Sequence, residues 1–234
     1  MSGALTVLRK ELLELLGDRS SLRGVLVQVT ILLVMAGCLM PYALCTTWQA
    51  HNPLAVLYHV ILPPLTSVMI ASDAFAGERE RRTLETLLAT PLSDRAIVVG
   101  KAGAALVVSE SLTLLALVLA TITVNLVKDG AGVFLPSLPM CAFALGGSFA
   151  LALVDTAAAI TVSSRVAVAR SAQQVTSLLG LGLAGALAYG WRRLHLGMDW
   201  TTLLTACGVI ALVGAAALAL ASAQFRRARF FEQR

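Results

Sequence analysis

"AFAGERERRTLETLLATPLSDRAIVVGK", residues 74–101, is the stretch on which the reading of this chain turns. Eight charged residues fall between Gly77 and Arg95, in a chain of 234 residues that is 58% hydrophobic and only 13% charged. Ordinary soluble domains carry roughly 25% charged residues. The mean hydropathy of +0.83 makes the surroundings of this segment membrane-like. A hydrocarbon core about 30 Å thick is crossed by roughly 20 apolar helical residues. Six runs of that kind lie around the charged stretch, at about 24–46, 54–75, 102–126, 137–162, 175–190 and 203–223. The expected fold is therefore an all-α integral membrane protein with six transmembrane helices.

Working outward, the basic residues orient the chain, because short cytoplasmic loops retain Lys and Arg. Fifteen of the 18 basic residues fall on one side of the six-span arrangement; only Lys128, Arg192 and Arg193 fall on the other. This puts both termini, residues 76–101 and residues 163–174 in the cytoplasm, and the chain in the plasma (inner) membrane. Trp48, Trp191 and Trp200 fall beside the opposite loops, where an apolar ring with one polar N–H is favoured. The net charge of +5 is then explained by topology and anionic headgroups, with no nucleic acid needed. The first apolar run follows a long charged segment, so a retained anchor is expected rather than a removable leader.

Residues 1–23 precede that run. Within "ALTVLRKELLELL", residues 4–16, the side chains of Ala4, Leu5, Leu8, Leu12, Leu15 and Leu16 fall on one stripe at 100° per residue. The segment is too polar to span and predicts an amphipathic interfacial helix, broken by "GDRSS". In the opening stretch, Leu84, Leu87 and Leu88 are spaced i, i+3, i+4, and Glu78/Arg82 and Arg81/Glu85 are spaced for helical support. A short helix over about 77–89 follows, then a break at Pro91, then a helix capped by Ser93 or Asp94 that enters the third span. Its leucine stripe suits either a groove on another protein or the bilayer surface. Residues 224–234 form a basic cytoplasmic tail.

The residues "GERERRTLETLLATPLSDRAIVVGK" resemble a recurrent feature of the membrane subunits of ABC-2 type ABC transporters. The likeness rests on an acidic-basic run, then "TLE", "LL" and "TP", then "GK" entering the third span; "RKELLELLGDRSSL" is similar to the segment before their first span. The resemblance implies a permease subunit, most often an exporter. Its first cytoplasmic loop is then a coupling helix docking on an ATPase, through Glu78, Glu80, Thr83, Leu84, Glu85, Leu87, Leu88, Thr90 and Pro91. It also implies an interfacial N-terminal elbow, a second permease subunit in a homodimer or heterodimer, and ATP and Mg bound by the ATPase rather than by this chain. A haem-exporter-like ABC membrane subunit is the alternative within that class.

Nucleotide chemistry is not expected here. The nearest approach to a P-loop ends at Gly100-Lys101-Ala102 and has Arg95 where the first glycine belongs, so it lacks both that glycine and the hydroxyl for the metal. A membrane-embedded enzyme has no support from an HExxH motif or from "GGSFA" around Ser148, which lacks a placed histidine. A secondary transporter would fit an internal repeat better than this sequence does. Cys38, Cys45, Cys141 and Cys207 lie in apolar runs without metal spacing. His51, His59 and His195 form no set with them, so no metal is expected. Pro63 and Pro64 predict a kink in the second run.

Two acids fall inside spans, Glu110 and Asp155, where an ionised carboxylate costs about 2.5–3.5 kcal/mol. Counting from Ala102 and Val162 puts them about 12 and 11 Å deep, at similar levels. They are candidates for a substrate path or inner gate. The other reading is a structural carboxyl, protonated or hydrogen-bonded to a neighbouring Ser or Thr.

Overall fold

The computed structural model describes residues 2–17, 19–62, 64–83, 89–128, 132–166, 168–193 and 199–224. The elements are helical among the described residues: α1 (Ser2–Gly17), α2 (Arg19–Val34), a π-helical turn (Met35–Leu39), α3 (Met40–Ala43), α4 (Cys45–Gln49), α5 (Leu57–Ile61), α6 (Pro64–Asp73), α7 (Ala76–Glu80), α8 (Asp94–Val127), α9 (Leu138–Ser163), α10 (Ala169–Arg193) and α11 (Trp200–Gln224). Five stretches among the described residues are long and apolar enough to cross a membrane: Leu26–Ala43, Leu57–Glu80, Asp94–Val127, Leu138–Ser163 and Trp200–Gln224. They overlap five of the six expected runs. The remaining run, 175–190, falls within α10, which is not among the five.

Two buried clusters hold the bundle. At the end that carries the charged stretch, Ile70, Ala71, Ala74, Phe75, Ile97, Val98, Ala102, Ala105, Ala159 and Ile160 join α6, α8 and α9. At the other end, Trp48, Val56, Val60, Leu117, Val124, Phe134, Met140, Phe143, Leu203 and Cys207 form the second. Trp48 is fully buried, and its indole N–H donates to the Tyr58 hydroxyl at 3.0 Å.

Hydroxyls line the seams between the spans. Thr66, Ser67, Ser72, Ser109, Thr113, Ser148, Thr156 and Ser163 are all buried. Short hydroxyl side chains let helices approach closely and return their polar atoms to nearby carbonyls, as Thr113 does to Ser109 and Ser67 to Pro64. The helix is interrupted beside the proline pair: α5 ends at Ile61 and α6 starts at Pro64, with Pro63 outside the described residues. Gly146 and Gly182 would meet nothing within 4 Å if given a Cβ.

The first span is interrupted for a nameable reason. Pro41 has no N–H to give the carbonyl one turn back, that of Gly37, and the helix widens into a π-helical turn there. Thr123 of α8 supplies the missing donor at 2.8 Å. A Cβ on Gly37 would stand 2.7 Å from the Leu119 Cβ, so glycine is what lets the hydroxyl arrive. Thr123→Val is expected to lower stability by about 0.6–1.7 kcal/mol, the range for interhelical hydrogen bonds in membranes. A reduced unfolding midpoint in detergent, restored by Thr123→Ser, checks it.

The last span starts on a side-chain cap. Asp199 accepts from the Thr201 hydroxyl and, at 3.0 Å, from the Thr202 N–H. The Thr201 hydroxyl first, then the Thr202 N–H and hydroxyl, hold the Asp199 carboxyl down at about 2.

Candidate functional site at the charged junction

The charged stretch folds back on the protein's own helices. α7 stops after five residues, so the helix expected over 77–89 is shorter here than its charge spacing predicts. The Thr83 N–H bonds the Glu78 carbonyl at 2.9 Å and the Arg82 N–H bonds the Arg79 carbonyl at 3.1 Å, with Arg82 left-handed at φ 58°. That is a Schellman ending, with arginine in the place glycine usually takes. Thr83 adds its hydroxyl to the same Glu78 carbonyl at 3.3 Å. Leu84, Glu85, Leu87 and Leu88 lie outside the described residues. Thr90 is half-buried and Pro91 exposed. Ser93 is the cap of α8, accepting from the Ala96 N–H at 3.2 Å.

Four consecutive charged residues reach four different places. Glu78 is buried, and its Oε1 lies 2.8 Å from Lys101 Nζ and 3.4 Å from Lys10 Nζ. Arg79 Nη1 donates to the Val166 carbonyl at 2.8 Å and Nη2 to that of Ser164 at 3.4 Å. Glu80 Oε1 accepts from the backbone N–H of Ala169 at 3.1 Å. Arg81 Nη2 lies 2.6 Å from Asp73 Oδ2. One helical turn thereby ties together α1, α6, α8, the connection after α9, and the start of α10.

The tightest part is an ionic knot at Lys101. Its side chain is 1% exposed, and its ammonium lies 2.8 Å from both Glu11 Oε1 and Glu78 Oε1. It also stands 5.6 Å from the centroid of the buried Phe75 ring, within range of a cation–π attraction. Lys10 bridges the outside of the knot, 3.4 Å from Glu11 and 3.0 Å from Glu14. Burial alone would lower the Lys10 ammonium's pKa; Glu11 first, then Glu14 and Glu78, outweigh it and raise it above 10.5.

Glycine brings α1 that close. A Cβ on Gly100 would stand 2.5 Å from the Val7 Cβ and 2.8 Å from the Ala4 carbonyl oxygen, and one on Gly103 would stand 2.9 Å from Leu8. The inward face of α1 is thus Ala4, Val7, Leu8 and Glu11. This corrects the expected stripe: Val7 is 2% exposed, whereas Leu5, placed in the stripe, is 64% exposed. A hydropathy pattern sends Glu11 outward, since its cation is encoded 90 residues later. The "GK" before the third span was the signal available in the sequence, glycine for contact and lysine for charge.

The two embedded acids separate. Glu110 Oε1 accepts from the Ser148 hydroxyl at 2.7 Å, and Ser148 in turn accepts from Thr113 at 3.1 Å. Ser148 is therefore the residue of α9 level with Glu110. Asp155 lies seven residues further along α9, about 10 Å nearer the charged end of the bundle. The expectation of equal depth fails because α8 already starts at Asp94, well before the first residue from which depth was counted. Among the described residues no hydrogen bond reaches Asp155. It faces α10, where a Cβ on Gly180 would stand 3.3 Å from its Oδ1. Among the described residues no group of three or more His, Cys, Asp or Glu could hold a metal.

Apolar spanning helices, polar seams and a charged junction at one end define an integral membrane protein of the all-helical kind. The sequence model of the ABC-2 family transporter proteins matches residues 5–194, most of the chain, and the protein belongs to that family. It is a membrane permease subunit of an ABC transporter, distinct from the ATPase with which such subunits associate. A comparison with curated proteins gives no match that would narrow the assignment.

Proposed function

We propose that this chain is the permease subunit of an ATP-driven exporter, and that it receives the ATPase stroke through its first cytoplasmic loop. Leu84, Leu87 and Leu88 are the apolar face offered to the ATPase cleft, and Glu85 sets register there. The observation that carries this reading is the tethering of residues 78–81 to four separate parts of the bundle. A loop so anchored at its root passes force into the helices instead of yielding to it. In the same reading Glu78 and Glu80 act at the root of the loop, Thr83 closes the turn, and Thr90 and Pro91 lead back into α8. A second permease subunit completes the pathway, and ATP and Mg belong to the ATPase.

Co-purification with the ATPase tests it. Glu85→Ala with Leu88→Ala is expected to abolish ATPase capture while the chain still inserts and remains monodisperse. Capture at the parental level would refute the docking role.

The acids divide the pathway. Asp155, without a hydrogen bond among the described residues, is the candidate for the substrate route or its inner gate. Glu110, held by Ser148, braces the seam between α8 and α9. Asp155→Asn is expected to reduce substrate-stimulated ATPase activity at least tenfold. Glu110→Gln keeps an acceptor for Ser148 and is expected to stay within about threefold of the parent, a change below 1 kcal/mol. Equal losses in the two variants would remove the distinction.

A further inference from the structure

α10 stands apart from the other long helices. Among the described residues it contributes nothing to either buried apolar cluster, and its buried residues there are Ala172 and Thr176, close to its cytoplasmic start. α8, by contrast, is fixed in both clusters and again by the ionic knot with α1.

The start of α10 is held by the loop before α8. Glu80 accepts from the N–H of Ala169, the first residue of α10, an end of the helix where negative charge is favoured. Arg79 holds the carbonyls of Ser164 and Val166 just upstream. Both contacts are to backbone, so they grip the path of the chain itself. Eleven residues beyond Ala169, roughly 16 Å along the helix, Gly180 passes the Asp155 carboxylate.

We propose that Arg79 and Glu80 are positioning residues that make α10 follow the first cytoplasmic loop, so that α10 is the helix displaced past Asp155 when the ATPase moves. The proposal rests on the coupling role given above and assigns its moving part. The loop is the handle, the α7 turn the joint, and α10 the driven element against a static α8 and α9.

The test uses the complex of the full chain with its ATPase in lipid nanodiscs. The four native cysteines are replaced and spin labels are placed at Val99 of α8 and Gln174 of α10, both exposed. Binding of a non-hydrolysable ATP analogue with Mg is expected to shift the distance distribution between the labels. Arg79→Met with Glu80→Ala is expected to abolish the shift while ATPase capture persists, and Glu80→Ala alone, at an exposed position, to diminish it. Arg79→Lys with Glu80→Gln, which keeps a donor and an acceptor, is expected to restore it. A shift that survives intact in the first two variants overturns the proposal, as does a parent complex that binds the analogue and shows none. Failure of the parent chain to capture the ATPase is a different result and refutes the coupling reading itself.

Discussion

Lys101→Met is expected to destabilise the chain by about 3–5 kcal/mol, because it leaves two carboxylates at a buried site without their central cation. Lys10 is no substitute: it reaches Glu11 and Glu78 only at 3.4 Å and from a more exposed position. The loss is read as a lowered unfolding midpoint when SDS is titrated into the detergent-solubilised chain. Trypsin provides a second reading, since cleavage after Arg9 and Lys10 should become rapid once α1 lifts from α8. Removing the acids as well, in Glu11→Gln/Glu78→Gln/Lys101→Met, should recover most of the loss, since a complete buried ionic set can often be replaced nearly neutrally. Unchanged stability in Lys101→Met would show that the knot holds nothing.

Gly100→Ala is the second large effect, although it adds a single methyl group. That methyl would stand 2.5 Å from the Val7 Cβ and 2.8 Å from the Ala4 carbonyl, distances real Cβ atoms essentially never show. Both neighbours belong to a helix backbone or its first side-chain atom, so neither can swing aside, and α1 must move bodily. Overpacking of this sort costs about 1–3 kcal/mol. Separation of α1 from α8 would also lengthen the 2.8 Å contact between Glu11 and Lys101. The expected outcome is a lowered midpoint with trypsin sensitivity like that of Lys101→Met. Val7→Gly/Gly100→Ala should return part of it, since room is regained at the side chain while the Ala4 carbonyl still crowds. Gly100→Ala at parental stability would mean that α1 does not seat against α8 as described.

Apolar run length made five of the membrane stretches legible, because a spanning helix must be both long and nearly uncharged. The cap at Ser93 and the proline break in the second run were legible for equally local reasons. What the residues did not disclose depends on partners distant in sequence. Glu11 looks like a solvent-facing acid until Lys101 is placed beside it, and Trp48 like an interfacial ring until Tyr58 meets its N–H. Charge spacing over 78–85 favours a continuous helix, but it says nothing of a Schellman turn closing at Arg82. The charged stretch itself was legible as a break between two spanning stretches. That residues 78–81 turn back to the chain's own helices could not be seen, because Arg79 and Glu80 bond backbone groups that no side-chain pattern reports.

The knot at Lys101 also bears on the order in which the protein is made. Glu11 leaves the ribosome before the cation that neutralises it, which follows 90 residues later, with two spanning stretches between them. Until then the inner face of α1, with a carboxylate among apolar side chains, has nowhere to dock. α1 therefore gains its docking partner only with the helix that carries Lys101, two spanning stretches further along the chain.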